Sequence, residues 1–128
     1  VGTGNKVEDF GIGFYTKYGD GGVDISPIAD LMKSEVFEIS KALDINKEIL
    51  EAKPTDGLWD DDRSDEEQIG ASYDDLEKVM NSLESGANPE KFNDEMKEKY
   101  VIYNKHHLVN KHKMISIPIC KIPNELKS

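Results

Sequence analysis

Val1 to Pro27 reads VGTGNKVEDFGIGFYTKYGDGGVDISP, the most chemically informative stretch of the chain. Seven glycines fall within the first 22 positions, interleaved with Thr3, Lys6, Glu8, Lys17, Asp20 and Asp24. Glycine admits positive φ and lets a backbone approach a ligand closely. Ammonium and carboxylate groups set between glycines suit phosphates and a divalent cation. On composition alone, a glycine-rich surface loop is the other reading. The Gly-Thr-Gly turn directly after Val1 looks like a strand-to-loop junction that has kept one strand residue. The chain is therefore expected to be the carboxy-terminal part of a longer polypeptide.

The 128 residues suffice for one domain that buries roughly two-thirds of its unfolded surface. The formal net charge of −10 is unevenly spread. Residues 101–128 hold Lys105, Lys111, Lys113, Lys121 and Lys127 against Glu125, a net +4, so the first 100 residues carry −14. All three histidines, His106, His107 and His112, also lie in that basic segment. An acidic body argues against general nucleic-acid binding, which depends on neutralising phosphates. The basic tail is compatible with an anionic small molecule, with pairing to the acidic body, or with simple solvation. No apolar run is long enough to span a bilayer, and no secretory signal pattern occurs. The single cysteine, Cys120, excludes an internal disulfide and fits a reducing cytosol, so a cytoplasmic protein is expected.

Working outward, residues 1–25 read as loop with a short helical piece around Glu8 to Tyr15. Ser26-Pro27 reads as cap and first position of a helix, with Ile28, Met32, Val36, Ile39 and Leu43 forming a stripe through Asp44. Asn46 predicts a short helix from Lys47 to Ala52, which Pro54 stops. Residues 54–63 are turn-rich and acidic. Ser64-Asp-Glu-Glu67 is a capping box for a short helix toward Gly70. Ser72 caps a further helix with Tyr73, Leu76, Met80 and Leu83, ended near Gly86. Asn88-Pro89 predicts the start of the longest helix, with Phe92, Met96, Tyr100 and Tyr103 in register, running to about Asn110. After His112, MISIPICKIP reads as an extended terminal strap. Almost no segment reads as a buried strand, so the apolar stripes are expected to lack part of their partner surface.

The opening lacks the third glycine of a dinucleotide-binding turn, and no G-x-x-x-x-G-K-[ST] is present. Four separated segments do agree in order with one family: GTGNKVE (2–8), TKYGDGGVDISP (16–27) with Lys33 six residues on, KPTDGLW (53–59), and HK (112–113). Over residues 1–113 the chain resembles the NAD synthetase family. The resemblance implies an α/β, Rossmann-like fold of the adenine-nucleotide alpha-hydrolase type, of which this chain would be the mostly helical carboxy-terminal part. A single domain is expected, with ligand loops at 1–27, a helical body at 28–110 and a terminal strap at 111–128. It implies a homodimeric ligase of NAD biosynthesis that amidates deamido-NAD with ammonia, ATP and Mg2+. A carboxylate is a poor electrophile; transfer of AMP makes an acyl adenylate and releases pyrophosphate, after which ammonia displaces AMP. The protein then chiefly positions groups and neutralises charge.

The same resemblance assigns Thr3, Lys33 and Thr55 to ATP and Glu8 to Mg2+. It assigns Lys17, Asp24, His112 and Lys113 to deamido-NAD. No residue here is carried over as a catalyst. Gly19, Gly21 and Gly22 imply a loop that closes over substrate, which Asp20 helps to shape. Trp59 reads as a core or interface anchor rather than an adenine platform. The acidic run Asp60, Asp61, Asp62, Asp65, Glu66 and Glu67 reads as solvated loop and cap chemistry. His106, His107 and Cys120 have no counterpart in the family motifs. The family's Ser-Gly-Gly-type pyrophosphate loop is absent from these residues, so the isolated chain is expected to be inactive. TKYGDGG resembles the ammonia-dependent branch; a glutamine-dependent synthetase and a non-catalytic substrate-binding or dimerisation fragment are the alternatives. Sibling tRNA-thiolating or GMP-forming enzymes would not be expected to share both the GDGG loop and the HK pair.

Overall fold

A computed structural model describes residues 1–55 and 63–127. The glycine-rich opening folds around a π-helix, Val7–Ile12. Its start is held by Asn5, 2% exposed, whose Oδ1 accepts from the N–H groups of Val7 and Glu8 at 3.1 and 3.2 Å. Its end is set by Gly13, whose φ of 64° is left-handed and whose N–H reaches back to the carbonyl of Glu8. The helical piece expected around Glu8 to Tyr15 is thus present, but wound with more residues per turn and closed three residues early by Gly13. A Cβ on Gly4 would overlap the Asp9 carboxylate, which explains the second glycine of GTGN.

Helix α1 spans Lys33–Ala42, not Pro27 onward. Ser26 and Ile28 instead start successive turns, accepting from Ala29 and Leu31 at 3.3 and 3.0 Å. The carbonyl of Leu31 is taken by the Lys6 N–H at 2.8 Å, which leaves Met32 extended. Carboxylates then collect the orphan donors of the first turn. Glu35 accepts from the Met32 N–H at 2.7 Å, while Glu77 accepts from the Ser34 N–H at 2.9 Å and its hydroxyl at 2.6 Å. Tertiary capture of these donors therefore overrides the Ser-Pro start signal.

Asn46 caps α2 (Lys47–Leu50), shorter than its expected reach to Ala52. Ser64 and Glu67 form the reciprocal box that opens α3 (Asp65–Ile69), and Gly70 closes it at φ 85°. Ser72 caps α4 (Tyr73–Glu84), after which Gly86 turns at φ 82°. Asn88-Pro89 yields a single 3-10 turn, Pro89–Lys91, because Phe92 is extended and a second cap, Asn93, starts α5. That helix runs Asp94–Met114, past the expected end at Asn110. His112 and Lys113 consequently stand on its last turn, not on an extended strap; Ile115 leaves the helix in an extended conformation, and a 3-10 turn follows at Asn124–Leu126.

The π-helix packs against α4 and α5, which also pack against each other. Val7, Ile12, Ile69, Tyr73, Leu76, Val79, Met80 and Tyr103, with Met32 from the approach to α1, form one buried core. Neither α1 nor α2 buries a residue, and Ile39, Leu43, Ile45 and Ile49 stay exposed on that pair. The described residues contain no strand, as the pattern predicts. Among them, no helix is long and apolar enough to cross a membrane.

Two measurements probe this core. Leu76, fully buried on α4, is expected to cost about 2–5 kcal/mol on truncation to alanine, read by denaturant unfolding of the complete protein. Burial, then the charge of Glu84, pushes the Tyr103 phenol up from 10.0 to about 12. Its folded form holds the proton longer, so its stabilising share is whole below pH 10 and drains away toward pH 12. Tyr103→Phe should flatten the fall in melting temperature across that window; an unchanged alkaline limb would contradict the assignment.

Candidate functional site

Three helix starts converge on one carboxylate. Glu8 lies in the first turn of the π-helix, Lys33 opens α1 and Tyr73 opens α4. Glu8 Oε1 accepts from Lys33 Nζ and from the Tyr73 hydroxyl, both at 2.8 Å. The Lys33 ammonium also lies 4.6 Å from the centre of the Tyr73 ring, a cation–π distance. Among the described residues, Glu8 Oε2 has a single long contact, 3.5 Å from the Asn5 N–H. The Glu8 and Lys33 side chains are 17% and 21% exposed, so the pair is sheltered yet reachable. Burial, then the neighbouring Glu8 charge and hydrogen bond, drive the Tyr73 phenol far above its ordinary range, so it remains a donor.

Among the described residues, no group of three or more His, Cys, Asp or Glu side chains is placed to cage a metal. A carboxylate with one weakly engaged oxygen, as on Glu8, suits Mg2+, which commonly takes one or two carboxylates and completes its shell with phosphates and water. Asp9, beside it, has its carboxyl raised by burial and then by the charges of Glu8 and Asp20.

The second cluster surrounds two adjoining hollows. One, about 600 Å3, is lined by Tyr15, Lys17, Tyr18, His112, Lys113 and Ile117, among others. Its neighbour, about 320 Å3, shares Tyr15, Lys17, Tyr18 and Lys113 and adds Gly21 and Asp24. Lys17, Asp24, His112 and Lys113 thus come together from segments some ninety residues apart in the chain. Lys17 Nζ donates to the His112 carbonyl at 2.6 Å. Lys113 Nζ donates to the carbonyls of Gly13 and Tyr15 at 2.9 and 2.7 Å, and burial lowers its pKa. Asp20 shapes the intervening loop by accepting from the Thr16 N–H at 2.6 Å.

Thr3 is exposed in the turn ahead of the π-helix. Thr55 is exposed as well, with its hydroxyl donating to the Arg63 carbonyl at 3.4 Å. Of the three residues assigned to ATP, Lys33 alone lies directly on Glu8 in the contacts described. Trp59, Asp60, Asp61 and Asp62 fall outside the described residues.

Sequence reading missed two groups. Tyr73 counted as core because it sits on the apolar stripe of α4, and nothing in that pattern discloses the aim of its hydroxyl. On α5, His107 meets the Gly11 carbonyl at 2.7 Å and Asn110 Nδ2 donates to the Ile12 carbonyl at 2.8 Å, next to the Lys113 contacts. A carbonyl only accepts, so His107 Nδ1 carries the proton. The spacing 107, 110, 113 places all three on one helix face, a signal that was available.

The sequence model of a family described as NAD synthase matches residues 1–115. An NH(3)-dependent NAD(+) synthetase of Methanococcoides burtonii is 47% identical over 91 residues, covering 71% of this chain and 34% of that protein. Its namesake from Alkaliphilus oremlandii is 50% identical over 91 residues, with the same coverage. The chain therefore spans about a third of the length of these curated relatives. A solved NMN synthetase from Francisella tularensis superposes with a TM-score of 0.71 at 33% identity, covering 96% of this chain and 45% of that one. The helical body described above is accordingly a portion of the adenine-nucleotide alpha-hydrolase type of α/β fold. On the match across residues 1–115, the chain belongs to the NAD synthase family.

Proposed function

We propose that the complete protein amidates deamido-NAD to NAD with ammonia and ATP, through an acyl adenylate, releasing pyrophosphate and AMP. The observation that carries this reading is the meeting of Lys17, Asp24, His112 and Lys113 around two adjoining hollows. The curated relatives named above are NH(3)-dependent NAD(+) synthetases, which supports ammonia as the nitrogen source. In this reading Lys17 and Lys113 face the anionic groups of deamido-NAD, Asp24 accepts from a ribose hydroxyl, and His112 closes the end of the site. Thr3, Lys33 and Thr55 contact ATP.

Glu8 would hold Mg2+ through Oε2. The ion, when bound, neutralises phosphate charge. Lys33, released from Glu8 or shared with it, offers its ammonium to the same nucleotide, and the buried Tyr73 phenol keeps its proton throughout. The protein's contribution is mainly placement and charge compensation rather than a covalent step of its own. We place the enzyme in the cytoplasm as a homodimer, and hold that residues 1–128 alone do not turn over.

A second reading, production of NMN, is favoured by the solved Francisella tularensis NMN synthetase. Offering deamido-NAD and its mononucleotide half to the complete protein, with ammonia, ATP and Mg2+, separates them: NAD formation is the expected product, and exclusive conversion of the mononucleotide would replace the first reading by the second. Glu8→Gln should raise the Mg2+ concentration needed for half-maximal turnover at least tenfold while leaving the melting temperature within a few degrees. Normal turnover at limiting Mg2+ would remove Glu8 from the metal. Lys17→Ala should raise KM for deamido-NAD about tenfold or more, the scale of one charge-assisted hydrogen bond, with KM for ATP nearly unchanged. Equal changes in both constants would contradict its placement in the substrate hollow.

A further inference from the structure

The two oxygens of Glu8 are treated differently by their surroundings. Among the described residues, Oε1 is occupied twice, by Lys33 Nζ and by the Tyr73 hydroxyl at 2.8 Å each, while Oε2 meets one N–H at the outer limit of hydrogen bonding. Lys33 by itself would not enforce that asymmetry, because an ammonium on a four-carbon stem is a mobile point charge. Tyr73 is 5% exposed and locked in the core beside Leu76 and Val79, so its hydroxyl has a fixed position. The ring it hangs from also lies under the Lys33 ammonium, 4.6 Å from centroid to nitrogen. One rigid residue therefore sets both the rotation of the Glu8 carboxylate and the resting place of Lys33.

We propose that Tyr73 is a positioning residue, which ties up Glu8 Oε1 with its hydroxyl and so turns Oε2 toward the nucleotide-bound cation, while its ring face parks Lys33 beside the same nucleotide. This rests on the reading of Glu8 as the Mg2+ ligand. The two functions are separable, because phenylalanine keeps the ring and loses the hydroxyl.

The test uses Mn2+ as the probe in the complete protein, titrated in the presence of ATP and followed by electron paramagnetic resonance, so that no turnover is needed. Tyr73→Phe should weaken Mn2+ binding about three- to tenfold, the value of one hydrogen bond, while the affinity for ATP without divalent cation stays within twofold. Tyr73→Leu, which also removes the ring, should weaken metal-free ATP binding as well. In a Glu8→Gln background, Tyr73→Phe should have no further effect on Mn2+. Mn2+ binding unchanged by Tyr73→Phe, or weakened equally in the Glu8→Gln background, would overturn the positioning role and leave Tyr73 as core alone. If Glu8→Gln itself binds Mn2+ like the parent protein, the underlying metal assignment fails instead. Should Tyr73→Leu not fold, the Tyr73→Phe and Glu8→Gln cycle decides the question by itself.

Discussion

The end of the π-helix leaves a run of backbone carbonyls pointing away from it, and α5 meets them one after another. His107 takes Gly11, Asn110 takes Ile12, and Lys113 takes both Gly13 and Tyr15. Left unpaired in a packed setting, each would cost about 1–3 kcal/mol. The three side chains recur at intervals of three along one helical face, in step with the carbonyls they satisfy. This ladder fixes the π-helix against α5 and, through it, the direction in which the chain leaves Gly13. Lys17 completes the circuit by returning a hydrogen bond to the His112 carbonyl. Both clusters of candidate ligands depend on that one junction: Glu8 sits at the near end of the π-helix, and the two hollows open beyond its far end.

An acidic chain proposed to hold two polyanions poses an electrostatic question that the positions of its lysines answer. Charges separated by more than about 8 Å in physiological salt are largely screened from one another. The overall −10 therefore matters less to a bound phosphate than the nearest few groups. Lys17 and Lys113 line the hollows directly, and the side chains of Lys33 and Tyr73, the first residues of α1 and α4, both reach Glu8. Lys33 adds a full charge at that point.

Legibility in the sequence followed the range of the forces involved. Asn46, Ser64 and Ser72 capped the helices they were expected to cap, since a cap is satisfied within three residues of itself. Ser26-Pro27 failed because donors near Lys33 are satisfied by Glu77, 43 positions on, a partner no local pattern discloses. Asn88-Pro89 failed for the opposite reason: a second local cap, Asn93, competes and opens the longer helix. The π-helix was invisible as such, for its extra residue per turn is imposed by Asn5, Gly13 and the α5 ladder together. Within the site, the family resemblance assigned Lys17, Asp24, His112 and Lys113 to one ligand, and all four line the two hollows; the direct pairing of Glu8 with Lys33 was not part of it. Tyr73 escaped notice because a hydrophobic pattern registers its burial and says nothing of where its hydroxyl points.

The wide turn of Val7–Ile12 also sets how many residues separate Glu8 from Gly13. In an ordinary α-helix each residue advances about 100° around the axis. Deleting one residue from this segment would restore the tighter winding and leave the angle between Glu8 and everything beyond Gly13 nearly as it is, because the wide turn fits about one extra residue into the same sweep. It would instead remove a rung, since Gly11, Ile12 and Gly13 could no longer each present a carbonyl to His107, Asn110 and Lys113. Lineages diverging from this chain should therefore tolerate exchanges of side chains within the segment far more readily than any change in its length.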